Sequence, residues 1–339
     1  MTRFAAAVLL PVALLVQPPR PRVELLRSTG GLPAHIAGAF QRPIGFQQAD
    51  DGRYYVFDRR AHAVYTIAGD TVTKIIEVGA EQGRVLDPSA FDIDASDGSF
   101  VIADAPFGNA RIQTFTGSGG RIGGFTLSAR QMPRITLDTF VLSGVGSMQY
   151  TGKTILLNQP ELGSLVTELA FDGSPSRTFG RLRATGQSDQ NVHLAFNAGF
   201  PLVDPKGGFY FVFSAGVPLF HKYDAAGKLL YERHVEGPEV DEYLRHMPTS
   251  WPNRRTDQGD ILPIVEPGIR AAAVDREGRL WVALAAPFTY VYDRGGDKLR
   301  TVQFKGADVL TPNSLFFTKD GRVLVTPGCY EFRLPQLDR

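Results

Sequence analysis

Residues 91–125 read FDIDASDGSFVIADAPFGNARIQTFTGSGGRIGGF, and this stretch divides into four short strands. Phe91 and Ile93 alternate with Asp92 and Asp94, which gives the first strand one apolar face. Ser96-Asp97-Gly98 is a turn, because glycine accepts the positive φ of a tight hairpin. Phe100-Val101-Ile102 is a second strand whose unbroken apolar run suits burial on both faces. A loop from Asp104 to Ala110 leads to a third strand, Arg111 to Phe115. A turn at Gly117 to Gly120 leads to a fourth, Arg121 to Phe125. One such antiparallel meander cannot cover both of its faces, so it needs copies of itself to pack against.

The copies are present. Aligned on the turn between first and second strands, Gly52, Gly98, Gly152, Gly207, Gly278 and Gly321 recur at a period of roughly fifty residues, the range of blade-forming repeats. Each is followed by an apolar strand, such as Tyr54 to Phe57, Phe209 to Val212 or Leu280 to Val282. The last copy ends near Leu334, too close to the C-terminus to supply its own fourth strand. Arg22 to Leu26 is strand-like and belongs to no copy. Added to the last blade it would close the ring and remove both exposed edges. Its alternation sets Val23 and Leu25 on the face expected to be buried. The expected fold is all-β: a six-bladed propeller of four-stranded antiparallel blades spanning 22–339, its last blade completed by the N-terminal strand.

Asp97-Gly98, Asp104, Asn109 and Arg111-Ile112-Gln113 resemble the NHL repeat, as do Asp51-Gly52, Asp58, His62 and Val64-Tyr65. The resemblance extends over about residues 22–339 and is specific in the first two copies; copies three and four carry Asn158 and Phe213 where the repeat has Asp. It implies a six-bladed propeller, in a family that includes binding modules as well as lyases and lactonases. Fold therefore does not determine function.

Composition narrows the classes. Lys and Arg number 36 against 35 for Asp and Glu, without a block of like charge, which argues against a dedicated nucleic-acid binder. Arg3, the apolar run Phe4 to Val16, and Pro18, Pro19 and Pro21 read as a cleaved export signal and junction over 1–21. The run is short of the roughly twenty residues a spanning helix needs. The expectation is a periplasmic or extracellular protein with no membrane span after cleavage. Cys329 is the single cysteine, so no internal disulfide supports the fold.

Loops joining second and third strands share one face of a propeller with the connections between blades. The long connections, Thr126 to Gly144, Arg181 to Asn197 and Glu236 to Gly268, all fall there, and loops of such length are usually functional or disordered. The insertion 236–268 reads either as a lid or clamp over the channel or as a solvated excursion pinned by Trp251 and Ile261. Its Val240 to Arg245 segment suits a helical turn. Arg254, Arg255, Asp257 and Asp260 from this insertion, with Arg59, Arg60 and Asp104 beside the channel, are the candidate ligand-binding residues.

Thr311-Pro312-Asn313-Ser314-Leu315 resembles the Pro-Asn-Gly-Leu stretch from which lactonase-type propellers present a calcium-binding Asn, with Ser in place of Gly. The resemblance implies Asn313, with the comparably placed Asn197 and Asp87, as candidate metal ligands; Asn313 has an equally simple reading as a strand cap. Calcium needs several oxygens, usually including carboxylates. The six histidines show no HxH or HExxH spacing, so zinc has less support than calcium. No base or cation marks Cys329 as a nucleophile. Three functions follow: a binding module without chemistry of its own, for a small molecule or a protein; a metal-dependent lactonase- or lyase-type enzyme with its site in the channel; and, with less behind it, a structural ring within an envelope assembly.

Overall fold

The computed structural model describes residues 23–127, 145–255 and 261–334, with the backbone of the short pair Ile135–Leu137 and Phe140–Leu142. The signal expected over 1–21, Asp257 and Asp260 lie outside the described residues.

Six four-stranded antiparallel blades form the ring. Their inner strands are Pro43–Gln48, Ala90–Ile93, Met148–Tyr150, Gly199–Val203, Ile269–Val274 and Ser314–Phe317, defining blades 1 to 6. In blade 2 the remaining strands are Phe100–Asp104, Arg111–Phe115 and Arg121–Thr126, matching the four-strand reading of that stretch. Its hairpin needs glycine for two reasons. Gly98 has φ of 75°, and a Cβ there would run into the Tyr55 hydroxyl of blade 1.

The second strands are buried on both faces: Phe100, Val101, Ile102, Tyr210, Phe211, Val212, Leu280, Trp281 and Val282 are fully inaccessible. Each seam between neighbouring blades holds its own apolar cluster, six in all around the ring. The core of this protein is therefore distributed among the seams.

The N-terminal segment does complete the last blade, through residues slightly further along than the sequence suggests. Gly30–Gly31 pairs with Glu331 and Tyr330 as the outer strand of blade 6. Val23–Arg27 instead adds in parallel to Lys298–Lys305, the outer strand of blade 5. Its orientation is also the reverse of that expected. Leu26 enters the seam between blades 5 and 6 and Glu24 meets Arg300 at 3.0 Å, which turns Val23 and Leu25 outward at 39% and 42% exposure.

The described parts of the insertion, 236–255 and 261–268, are docked. Pro238–His246 is a helix with Glu239 and Asp241 in its first turn and Arg245 and His246 in its last, the order the helix dipole favours. Val240 is buried in the seam between blades 4 and 5. Trp251 packs edge-on against Phe196 at 5.5 Å between ring centres, in a small cluster with Val192, Ala195, Ala215 and Val265. Ile261 takes no part in pinning it; that side of the hairpin Asn253–Arg255 and Ile261–Pro263 leaves Ile261 67% exposed. Among the described residues no helix is long and apolar enough to cross a membrane.

Candidate functional site

The inner strands enclose a central cavity of about 340 Å³. Each inner strand follows an inter-blade connection, so its first residues, among them Ile44, Ser89, Ser147, Ile269 and Asn313, ring the mouth on the inter-blade face. The cavity wall has two unlike arcs.

Along blades 1 to 3 the wall is polar, and its side chains bridge neighbouring blades. Gln47 accepts the Ile93 N–H at 3.0 Å and donates through Nε2 to Asp92 Oδ1 at 3.0 Å. Asp92 Oδ2 accepts the Tyr150 N–H at 2.8 Å. Gln149 Oε1 accepts the Val203 N–H of blade 4. An inner strand has a free backbone edge toward the channel, and an unpaired N–H there costs free energy; each of these side chains supplies the missing acceptor. Along blades 4 to 6 the residues on the matching rungs are Leu202, Ala273 and Phe316, opposite Tyr210, Trp281 and Leu324. With Phe200, Ala272 and Val274 they make the second arc apolar.

Among the described residues two charged ones line the cavity, Asp92 and Arg270. Asp92 is partly exposed to the channel and otherwise enclosed by protein. Burial pushes its carboxyl up to about 7, against the pull of the Tyr150 N–H and the Gln47 amide, while Asp94 pushes the same way as burial. Arg270 donates from Nη1 to Asn313 Oδ1 at 3.1 Å and is engaged elsewhere as well.

The residues singled out from sequence lie in several environments. Arg59 is half-buried at the rim and donates from Nε to the Pro88 carbonyl at 3.2 Å; burial and the neighbouring Arg42 lower its pKa. Arg60, Arg254 and Arg255 are exposed. Asp104 is buried, gripped by Arg111 through two bonds of 2.8 Å and accepting the Leu86 N–H at 3.0 Å. Its carboxylate shapes the loop and does not face the channel.

The three candidate metal ligands are each occupied separately. Asn197 is fully buried; its oxygen accepts the Arg183 N–H at 2.9 Å and its amide donates to the His193 carbonyl at 3.0 Å. Asp87 stands at the rim, 65% exposed, 3.8 Å from His62. Asn313 gives its oxygen to Arg270, and a guanidinium there opposes a bound cation. This donor set does not fit calcium, which requires converging oxygens. Among the described residues no group of three or more His, Cys, Asp or Glu is placed to hold a metal. Cys329 is buried, its thiol pushed up to about 12 mainly by burial.

Sequence reading passed over Gln47, Gln149 and Arg270, and took Asp92 only as part of a polar strand face. The available signal was a polar side chain inside an otherwise apolar inner strand a few residues before the hairpin turn.

No family model matches the sequence, and no curated protein sequence matches it. Solved structures with a similar fold include a streptogramin B lyase, at 14% identity over 86% of this chain and 92% of that one, TM-score 0.48. BamB from Moraxella catarrhalis is 13% identical over 86% of this chain and 84% of its own, TM-score 0.46. The WD40 β-propeller domain of Doa1 is 10% identical over 92% and 97%, TM-score 0.49. At such identities these are likenesses of fold alone.

Proposed function

We propose that the chain is an exported, NHL-like propeller that binds a small molecule in its channel, entered from the inter-blade face, without chemistry of its own. The observation supporting this best is the cavity of about 340 Å³: it is concave and sets an apolar arc against an arc of oriented polar groups, a combination suited to a small-molecule site. In this reading residues 1–21 direct the protein to the periplasm or the medium. Arg59, Arg60, Arg254 and Arg255 are the proposed contacts on the inter-blade face, where a protein partner would also meet the ring.

Gly146 provides the test. It lines the mouth, and a Cβ added there meets nothing within 4 Å, so a side chain can be placed there, and Gly146→Trp should obstruct the mouth while the protein still folds. Tag-free protein incubated with envelope extract and desalted should retain a small molecule detectable by mass spectrometry, and Gly146→Trp should retain none. Equal retention by both proteins, or by neither, refutes the reading.

The alternative is an enzyme of lactonase or lyase type with its site in the channel. Its support is Asp92, which lines the cavity and holds its proton toward neutral pH, the kind of perturbed group that active sites use; it speaks for acid–base chemistry and not for the metal that such enzymes use. Stoichiometric calcium or zinc in tag-free protein would favour it; metal-free protein that still retains a ligand would favour the binding module.

A further inference from the structure

We infer that the channel selects a neutral, mainly apolar molecule carrying a carbonyl-type hydrogen-bond acceptor, such as a ketone or an amide, and discriminates against ions of either sign. This rests on the channel being a small-molecule site, and it follows from which polar groups of the wall are already in use.

The two charged residues are both engaged. Each oxygen of Asp92 takes a protein donor, one from Gln47 and one from the Tyr150 backbone. Arg270 is held by Asn313 and by further contacts. A charged ligand would enter a cavity walled by Phe200, Leu202 and Phe316 and find no uncommitted counter-charge, and burying an unpaired charge is far costlier than burying a dipole.

Two side-chain donors of the wall are unused. Asn313 presents its oxygen to Arg270, which orients its NH₂ group away from the guanidinium. Among the described residues that NH₂ donates to no acceptor. Gln149 repeats the arrangement: its oxygen is taken by the Val203 N–H, and its NH₂ has no acceptor among the described residues. Both amides line the cavity, Asn313 at the mouth and Gln149 further along its strand. Neutral N–H donors beside an apolar wall match a carbonyl oxygen on an apolar body, and a site built with such donors rejects an analogue that cannot accept from them. Arg270 is a positioning residue here, acting through the Asn313 amide.

The test uses three probes of nearly one shape: 4-phenylbutan-2-one, 3-phenylpropanoate and 3-phenylpropylammonium, titrated calorimetrically into the full chain at pH 7.5. The ketone should bind at least tenfold more tightly than either ion. Asn313→Asp keeps the oxygen that accepts from Arg270 and removes the NH₂; it should weaken ketone binding by tenfold or more. Gly146→Trp should abolish binding of the ketone. An ion that binds as tightly as the ketone overturns the inference, as does an undiminished ketone affinity in folded Asn313→Asp, or no binding of the ketone by the wild type. The comparison among probes needs no variant, so it decides the matter even if Asn313→Asp does not fold. Three probes bound alike and all blocked by Gly146→Trp would overturn the ligand class while leaving the channel a binding site.

Discussion

Between blades 1 and 2, 2 and 3, and 3 and 4, an inner-strand side chain reaches across the seam and accepts an N–H of the next blade. At the other three seams the matching residues are Leu202, Ala273 and Phe316, which have no acceptor to offer. Trp281, Phe304 and Phe332 fill one of these seams and Tyr210, Tyr290 and Tyr292 another, and the side-chain hydrogen bonds that cross them, such as Arg270 to Asn313 and Tyr210 to the Gly278 carbonyl, are made away from the matching rungs. All six seams are packed with apolar side chains; what sets the first three apart is an inner-strand side chain that also caps a backbone N–H of the next blade. The two sides should fail differently: the apolar arc when atoms are removed, the polar arc when a proton or an acceptor is changed.

The largest expected effect is in the apolar arc. Trp281 is fully buried and its indole N–H donates to Asp275 at 2.8 Å. Trp281→Ala should cost about 3–5 kcal/mol in denaturant unfolding. A loss below about 1 kcal/mol would mean that this seam closes over the gap and is not set by volume.

Next comes the proton on Asp92. Its folded pKa, about 7, lies above the ordinary carboxylate value, so between those limits the folded state holds more protons than the unfolded one. Stability contributed by the protonated group is complete below about pH 4 and falls as pH rises toward 7, by about 1.4 kcal/mol per unit at its steepest. The stability of Asp92→Asn relative to wild type should accordingly rise from pH 4 to 7 and level off above. A difference that stays flat with pH would show that Asp92 titrates normally, and the contrast between arcs would lose its electrostatic part.

A smaller change follows from removing an acceptor. Gln149→Leu leaves the Val203 N–H without its partner and should destabilise by about 1–3 kcal/mol, with Gln149→Glu recovering most of it. If the leucine variant is as stable as wild type, the bridging bonds are dispensable and packing holds both arcs. The smallest effect is expected outside both. Arg254 and Arg255 are exposed on the insertion hairpin, and alanine at either should shift stability by less than about 0.5 kcal/mol.

The blades were legible in the sequence because hairpin glycines and apolar second strands recur with little ambiguity. Completion of the last blade by the N-terminal segment was legible in kind but not in register. Val23, Leu25 and Leu26 are all apolar, and only the ion pair of Glu24 with Arg300 and the eight-residue outer strand of blade 5 decide which of them turns inward. The channel was harder to read. Alternation distinguishes two faces of a strand, but in a ring the second face meets a neighbouring blade and the channel, not open water. A polar residue such as Asp92 therefore looks like surface when it is wall. Loop length pointed to the rim and to the insertion, and it carries no information about residues inside strands.

The placement of Val23–Arg27 bears on the order in which the molecule can assemble. The segment is synthesised before every blade, yet its partners are Lys298–Lys305, with Val23 opposite Thr301, and Gly30–Gly31 waits for Tyr330 and Glu331. Contacts so distant in sequence must meet the entropy of closing a very long loop before they return anything. Blades 1 to 4 are each built from strands close together in sequence, whereas blade 6 takes its outer strand, and blade 5 an added fifth one, from a segment that precedes all the blades. Until Tyr330 and Glu331 are in place the protein is in this sense an open arc, and it is over that interval that a chaperone, or a neighbouring copy offering a strand, would find an edge to pair with.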